Sequence, residues 1–261
     1  MLKSFIKYLL LRCKGLYVRA EDIKNKANIM LSEEGNYLDR IGFFEDTDKA
    51  SLVYINDKLV NLGEGHDYLR HYDYFLRPFV SEKFSMIEFG CAGGASLRTW
   101  EKYFPNAQIY GVDIDDSAKR HETERIHIVI GDATAQKTFD ELKATTGQAF
   151  IILDDASHAW SDQRRSFELF WDLVTPGGFY ICEDLECGSS GAYTPPKILD
   201  SQPFFNYMQD RSEILRWAPD RDPEKNTYHF NHLPPNIQKI EREMDMCIFM
   251  PGAVVVRKKS C

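Results

Sequence analysis

The chain has 261 residues, of which 43% are hydrophobic and 13% aromatic. This length and composition allow one substantial buried core and favour a single domain with extensions over two full domains. The formal net charge of −8 argues against an extended phosphate-binding face, because binding to a nucleic-acid backbone requires clustered Lys and Arg. Nucleic acid is therefore not an expected partner.

The N-terminal stretch 1–14 mixes basic and apolar residues. Lys7 and Arg12 interrupt its apolar run, which is then too short for a secretion signal or a membrane span. Two interpretations stay open: a basic amphipathic helix in weak contact with a membrane surface, and a helix that packs within the protein or its oligomer. We favour the second.

Two regions of the chain differ in their pattern. Residues 1–80 alternate short apolar patches with charged stretches and lack a strong strand run, which predicts a helical, loop-rich lead-in. From residue 81 onward, short apolar runs alternate with segments of helical spacing. The runs lie at 86–89, 109–112, 126–130, 150–153 and 178–182. This alternation predicts a parallel sheet covered by helices.

The C-terminal runs have a different connection. Residues 245–250 and 253–257 are joined by Pro251-Gly252, which is too short for a helical crossover and predicts an antiparallel hairpin. The prediction is an α/β fold with a Rossmann-like, seven-stranded, mostly parallel sheet over 81–261, as in class I methyltransferases. A Gly-, Ser- and Pro-rich stretch at about 187–235 is predicted to be an insertion on the substrate side.

The six cysteines show no regular framework, and none of them forms a CxxC pair. This pattern gives no indication of a zinc site or of thioredoxin-like chemistry. We interpret the cysteines as reduced thiols and expect a cytoplasmic protein.

Small residues follow the first strand of the predicted sheet and open a helix. A dinucleotide-binding fingerprint fits poorly, because Ala92 stands where the second glycine belongs. Glu88, two residues before the first glycine, favours S-adenosylmethionine instead. We predict that the donor is bound by Glu88, Gly90, Ala92, Gly94 and Ser96, where small residues let a ligand approach the backbone.

Carboxylates also follow the next strands. Asp113 ends the second strand, at the distance from the glycines where it can accept hydrogen bonds from both ribose hydroxyls, although it could instead cap the following helical segment. Asp132 follows the third strand and is placed for the adenine amino group, with ordinary turn chemistry as the alternative. We assign Ile114, Ala133 and Asp154 to the same cofactor site.

The fourth and fifth strands end in four carboxylates and an imidazole: Asp154, Asp155 and His158, then Glu183 and Asp184. Carboxylates gathered at one sheet edge repel each other, and a hard divalent cation relieves that repulsion. Because successive side chains on a strand point in opposite directions, Asp154 and Asp155 cannot face the same ligand. We therefore predict a Mg²⁺ site formed by Asp155, Glu183 and Asp184.

The predicted reaction is in-line displacement at the sulfonium methyl. His158 is the candidate general base because an unperturbed imidazole titrates near neutrality, and Asp155 would act with it through the metal. Two neighbouring hydroxyls of a substrate would fill the remaining metal positions. The alternative is that Asp155 and Ser157 cap the next helix and that Glu183-Asp184 is a solvated pair.

Between about Thr47 and Glu186, the sequence resembles the metal-dependent sugar O-methyltransferases of the mycinamicin and tylosin type, which act on macrolide antibiotics. The matching motifs are Thr47-Asp48-Lys49, His66-Asp67-Tyr68 with Tyr72, Gly93-Gly94-Ala95-Ser96-Leu97-Arg98 with Trp100, Tyr103-Phe104-Pro105-Asn106-Ala107, Asp154-Asp155-Ala156-Ser157-His158, Thr175-Pro176-Gly177-Gly178 and Glu183-Asp184-Leu185. Their order and spacing together are more specific than any one of them.

The resemblance implies a set of roles and partners. It implies that Asp155, Glu183 and Asp184 hold magnesium and that His158 takes the proton from a sugar hydroxyl. The lead-in around Lys49 and His66 would help to close the cofactor site. The acceptor would be a sugar-containing small molecule or a glycan, with a surface polysaccharide or glycolipid as plausible as a natural product. A homo-oligomer is also implied.

Two hypotheses from other classes compete with this one. An NAD-dependent oxidoreductase is supported only by the glycines and Asp113, and the carboxylates at the strand ends count against it. A non-catalytic protein that binds S-adenosylmethionine would keep the fold without turnover.

Overall fold

The computed structural model describes residues 37–50, 52–55, 58–61, 66–187, 204, 206–208 and 233–260. The predicted helix in 1–14 and most of the predicted insertion at 187–235 lie outside these residues. Within them, no helix is both long enough and apolar enough to cross a membrane. The chain divides into two compact units, Met1–Ser81 with Arg98–Pro105, and Glu82–Leu97 with Asn106–Cys261.

The first unit contains helices and also a hairpin. Its elements are α1 (Tyr37–Glu45), β1 (Leu52–Ile55), β2 (Lys58–Asn61) and α2 (Leu69–Leu76), which continues into a 3₁₀ turn at Arg77–Phe79. The antiparallel pairing of β1 with β2 was not predicted, because each strand has only four residues. Four residues is the lower limit of the length at which a period-2 pattern indicates a strand.

Buried charge in the first unit is paired. Asp73 of α2 is 2% exposed, and the Tyr103 hydroxyl donates to its Oδ1 over 2.6 Å while Arg77 pairs with its Oδ2. Burial, followed by the contact with Asp73, raises the pKa of Tyr103. Because an unpaired buried carboxylate is costly, these contacts allow α2 to bury its apolar face.

The second unit is built on a seven-stranded sheet within the described residues, in the order β5-β4-β3-β6-β7-β9-β8. The strands are β3 (Ser85–Phe89), β4 (Gln108–Asp113), β5 (Ile126–Ile130), β6 (Ala149–Asp154), β7 (Val174–Cys182), β8 (Met244–Met250) and β9 (Ala253–Lys258). Strands β3 to β7 pair in parallel, and β9 pairs antiparallel with both β7 and β8. The predicted fold class, including the C-terminal hairpin, is confirmed.

Helices alternate with these strands. They are α3 (Ala95–Tyr103), α4 (Gln136–Thr146), α5 (Trp160–Phe170) and α6 (Pro235–Glu243), with 3₁₀ segments at Asp116–His121 and Trp171–Leu173. Ile151 and Ile152 are neighbours in β6, yet both are fully buried, which is typical of a parallel strand covered on both faces. Phe170 of α5 packs on Phe89 of β3 with ring centroids 4.7 Å apart. Burying such a side chain stabilises the fold by about 1.5–3 kcal/mol.

The strand order creates a crevice at the carboxyl edge of the sheet. From β3 the chain moves to β4 and β5 on one side, and it then returns to β6 and β7 on the other. The loops after β3 and β6 therefore leave their strands in opposite directions. Open α/β sheets bind ligands at such a point.

Candidate functional site

The loops after β3 and β6 are in direct backbone contact. The Asp155 N–H donates to the Phe89 carbonyl over 3.0 Å. Gly90 has φ +86°, and a Cβ at this position would lie 2.2 Å from the Asp155 carbonyl oxygen. Only glycine allows this approach without a shift of the backbone. The predicted donor loop and the predicted metal-binding segment are thus held against each other.

The glycine loop, residues 90–94, is tightly wound. Gly90 N donates to Val112 O over 2.8 Å, and Gly94 N donates to Cys91 O over 2.7 Å. Ala92 has φ +40° and Gly94 has φ +71°. Ala92 is exposed, whereas Gly94 is buried. The loop therefore exposes Ala92 to solvent, where a ligand can reach the backbone.

Glu88 and Ser96 contact each other. Glu88 in β3 is fully buried, and the Ser96 hydroxyl at the start of α3 donates to its Oε1 over 2.5 Å. The pair ties the strand before the glycine loop to the helix after it. Whether either residue also contacts the donor stays a prediction.

Asp113 lies at the end of β4 and binds the glycine loop. Its Oδ2 accepts from the Cys91 N–H over 2.8 Å, and its Oδ1 accepts from the Asp115 N–H over 2.9 Å. The cap of the following 3₁₀ segment is Asp115, which accepts from Ser117, so Asp113 is not the cap. A carboxylate oxygen accepts more than one hydrogen bond, and both oxygens of Asp113 keep capacity for a ribose hydroxyl.

Ile114 follows Asp113 and is 78% exposed. An apolar side chain this open, beside a carboxylate and a glycine loop, fits the mixed polar and apolar surface of a nucleoside. The residues at this end of β4 therefore suit the adenosyl part of S-adenosylmethionine.

The adenine-side predictions have a plainer local explanation. Asp132 is exposed, and its Oδ1 accepts from both the N–H and the hydroxyl of Thr134 over 2.7 Å. This is the turn chemistry that the sequence left as an alternative. Ala133 is buried, and its carbonyl accepts from Ser166 over 3.3 Å. The contact of Asp132 with adenine and the place of Ala133 in the cofactor site stay predictions.

Asp154 and Asp155 occupy different environments, as strand alternation predicts. Asp154 is 3% exposed and accepts from the Tyr180 hydroxyl over 3.1 Å, whereas Asp155 is half-buried. Burial raises the pKa of Asp154 to about 7, against the hydrogen bonds from Tyr180 and the Ala156 N–H. Asp154 is therefore engaged within the sheet, and its assignment to the cofactor stays a prediction.

Asp155, His158 and Asp184 form one cluster, called here the Asp–His–Asp cluster. Potential ligand atoms of the three residues all lie within 4.8 Å of one another. His158 Nδ1 is 3.9 Å from Asp155 Oδ1, and His158 Nε2 is 3.8 Å from Asp184 Oδ2. The imidazole thus lies between two carboxylates at the ends of β6 and β7.

Two residues of this cluster have strained backbone conformations. His158 has φ +57° and Asp184 has φ +55°. The left-handed region costs a non-glycine residue about 1–3 kcal/mol and persists only where the surroundings impose it. Such strain supports a functional role for the pair.

Helix α5 holds the loop after β7 in place. The Trp160 indole N–H donates to the Leu185 carbonyl over 2.9 Å, and the Gln163 amide donates to the Glu183 carbonyl over 3.0 Å. The N-cap of α5 is Ala159, so neither Asp155 nor Ser157 caps this helix. Sequence reasoning did not single out Trp160 or Gln163, because nothing in a helical pattern shows which loop a side chain reaches.

Glu183 is fully buried and is not part of the Asp–His–Asp cluster. Of the three predicted metal ligands, the structure brings Asp155 and Asp184 together. Glu183 and Asp184 directly follow β7, and the chain leaves the extended conformation at Asp184, where φ is +55°. A role for Glu183 as a ligand stays a prediction.

The donor set of the Asp–His–Asp cluster fits a divalent cation. It offers two carboxylates and an imidazole within reach of one ion. Carboxylate oxygens are the ligands that Mg²⁺ prefers, and it keeps several waters or substrate oxygens in addition.

Lys49 and His66 belong to the first unit. Lys49 is 2% exposed, and its carbonyl accepts from the Tyr68 N–H over 2.9 Å. The His66 ring meets the Tyr68 ring edge to face at 5.6 Å. The role at the cofactor site that the resemblance implies for them stays a prediction.

Comparison with known proteins confirms the predicted resemblance. Residues 87–180 match the methyltransferase domain family Methyltransf_12. The chain is 29% identical over 191 residues to the 8-demethyl-8-alpha-L-rhamnosyl tetracenomycin-C 2'-O-methyltransferase of Streptomyces olivaceus, covering 68% of this chain and 50% of that protein. It is 36% identical over 165 residues to the demethylmacrocin O-methyltransferase of Streptomyces fradiae, covering 60% of this chain and 40% of that protein.

The fold has a matching solved structure. The MycE methyltransferase from the mycinamycin biosynthetic pathway, solved in complex with Mg and SAH, aligns with a TM-score of 0.68 at 23% identity. The alignment covers 85% of this chain and 54% of that one. The chain therefore spans about half, or less, of the length of these relatives.

Proposed function

We infer that this chain, which carries a methyltransferase domain and is related to the antibiotic sugar O-methyltransferases, transfers a methyl group from S-adenosylmethionine to a sugar hydroxyl. The observation that carries the proposal is the backbone contact between Gly90 and Asp155. It supports a methyl donor on the glycine loop lying next to the Asp–His–Asp cluster, where an acceptor hydroxyl can be held.

On the donor side, we assign the methionine part to the glycine loop and the ribose to Asp113. Asp113 already binds the loop through the Cys91 N–H, so one carboxylate both shapes the loop and meets the ribose. Ile114 offers the apolar contact. These contacts lie away from the reacting atoms, and they hold the reactive methyl group in position.

On the acceptor side, His158 is the proposed general base. As the hydroxyl oxygen bonds to the methyl carbon, the bond from that carbon to sulfur breaks, and the hydroxyl proton passes to the imidazole. Asp155 and Asp184 flank the ring, 3.9 and 3.8 Å from its two nitrogens. S-adenosylhomocysteine and the sugar methyl ether are the products.

We propose that Asp155 and Asp184 hold Mg²⁺, with Glu183 as the third ligand from the chain. When bound, the cation would supply a Lewis acid that lowers the pKa of the acceptor hydroxyl. The MycE methyltransferase, whose fold this chain resembles, was solved in complex with Mg, which is consistent with this assignment.

The proposed acceptor is a sugar on a small natural product or a glycan. The named relative from Streptomyces olivaceus is a 2'-O-methyltransferase of a rhamnosyl compound, which favours a glycoside with neighbouring hydroxyls. A homo-oligomer is proposed on the family resemblance alone. Hydride transfer to NAD is not favoured, because it has no use for the Asp–His–Asp cluster.

The test is methyl transfer from S-[methyl-³H]adenosylmethionine to a panel of rhamnosides, other neutral glycosides and sugar nucleotides, with Mg²⁺ or with EDTA. We expect a labelled sugar ether with at least one glycoside, formed with Mg²⁺ and lost in EDTA. Donor binding without transfer to any member of the panel would favour a non-catalytic binding protein. Equal transfer in EDTA would contradict the metal assignment.

A further inference from the structure

We propose that His121 is a positioning residue that fixes the glycine loop in its donor-binding conformation. His121 ends the 3₁₀ segment Asp116–His121, and its Nε2 lies 3.2 Å from the carbonyl oxygen of Ala92. The two residues are 29 positions apart in the chain. The consequence for donor affinity rests on the proposed function, whereas the effect on the loop does not.

The imidazole also packs directly on the loop. A Cβ at Gly94 would lie 2.5 Å from His121 Nδ1 and 2.6 Å from its Cγ. The absence of a side chain at Gly94 therefore makes room for the ring. The ring therefore meets the loop at two places. It packs against Gly94, and its Nε2 faces the carbonyl oxygen of Ala92.

Ala92 is the part of the loop that needs an external contact. With φ +40° it lies in the region that L-residues rarely adopt, and a residue held there relaxes unless the surroundings oppose it. Asp113 fixes Cys91 on one side, and the Gly94 N–H bonds to the Cys91 carbonyl on the other. The carbonyl of Ala92 lies between these contacts, and His121 is placed to hold it.

The contact requires a proton on Nε2. The Arg120 Nε–H can donate to the same ring nitrogen over 3.2 Å, and this bond competes with the contact to Ala92, because one nitrogen cannot both accept from Arg120 and donate to Ala92. The bond to the loop therefore requires the Nε2–H form of the ring. Glutamine can present an amide N–H at a similar reach, whereas alanine cannot.

The first test measures the loop without any ligand. Hydrogen–deuterium exchange of the full chain is compared for the parent, His121→Ala, His121→Gln and the matched control His127→Gln. His127 is a partly buried histidine of β5 that contacts Gln108. We expect faster exchange in peptides covering 90–96 for His121→Ala only. Unchanged exchange in His121→Ala would overturn the proposal.

The second test measures donor affinity by calorimetric titration with S-adenosylhomocysteine. Loss of one hydrogen bond should raise Kd roughly 3- to 10-fold in His121→Ala, with recovery in His121→Gln and with KM for the donor raised at unchanged kcat. Equal weakening in both variants would assign the effect to ring packing and contradict the hydrogen bond. A parent that does not bind S-adenosylhomocysteine would refute the proposed function, and the exchange experiment would still decide the role of His121.

Discussion

His158 is the residue on which the proposed chemistry depends. Its imidazole lies between Asp155 and Asp184, and both His158 and Asp184 have left-handed backbone conformations. The ring lies just beyond the ends of β6 and β7, on the proposed acceptor side of the site. The proposed donor contacts lie on the glycine loop and at Asp113, so donor binding and proton transfer should be separable.

The His158→Ala variant should therefore lose turnover while it keeps the donor. We expect kcat to fall by about 10²–10⁴-fold, the usual effect of losing a general base. Kd for S-adenosylhomocysteine, measured by calorimetry, should remain within about twofold of the parent value. A twofold change is ~0.4 kcal/mol of binding free energy, which is too small for the loss of a contact with the donor. The matched control is His127→Gln, which should retain activity. A His158→Ala variant as active as the parent would contradict the assignment of the base.

Among the candidate site residues, some were predictable and others were not. Asp113 could be placed because it ends a clear apolar run, and Asp155 because it follows the end of another, where strand alternation separated it from Asp154. The contact of His121 with Ala92 could not be foreseen, because it joins two turns whose relative position depends on how β3 pairs with β4. Tyr180 as the partner of Asp154 depends in the same way on the pairing of β6 with β7.

At the scale of elements, the glycine loop and the loop after β6 are held together by the close backbone contact at Gly90. Two effects make this position intolerant of a side chain: φ is +86°, and the nearest atom to an added Cβ is a backbone oxygen 2.2 Å away. That oxygen belongs to Asp155, whose N–H is bonded to the Phe89 carbonyl, so the segment cannot simply move aside.

The Gly90→Ala variant should be destabilised by about 2–5 kcal/mol, the sum of a left-handed conformation and an overpacked contact. Gly147→Ala is the matched control, because Gly147 has φ +67° but no atom within 4 Å of an added Cβ. It should lose only about 1–2 kcal/mol, the conformational part alone. Urea unfolding of both variants checks this. Equal losses in the two variants would mean that the Gly90–Asp155 contact is not tight.

The elements themselves differed in how clearly the sequence showed them. The central strands are visible because both of their faces are buried, which gives nearly continuous apolar runs such as that of β6. The β1–β2 hairpin was missed because its strands are short and lie in a region of mixed apolar and charged patches.

At the scale of the whole molecule, the site follows from strand order. The alternation of strands and helices predicts a parallel sheet, but it does not specify that β6 lies next to β3. That neighbour relation sets Phe89 opposite Asp154 and brings the two loops together. It depends on contacts between residues more than 60 positions apart, which no local pattern encodes.

The central claim is that the carboxylates ending β6 and β7 hold a cation beside the methyl donor. The most direct measurement is Mn²⁺ binding followed by electron paramagnetic resonance, with the full chain saturated with S-adenosylhomocysteine. The variants are Asp155→Asn, Asp184→Asn and Glu183→Gln. The control is Asp172→Asn, which changes a carboxylate paired with Lys239.

We predict one Mn²⁺ site in the parent and in the control, displaced by Mg²⁺, with affinity at least roughly tenfold lower in Asp155→Asn and Asp184→Asn. A similar loss in Glu183→Gln would support its proposed place as the third ligand, and parent-like binding would remove it from the set. Parent-like Mn²⁺ binding in both Asp155→Asn and Asp184→Asn would contradict the account.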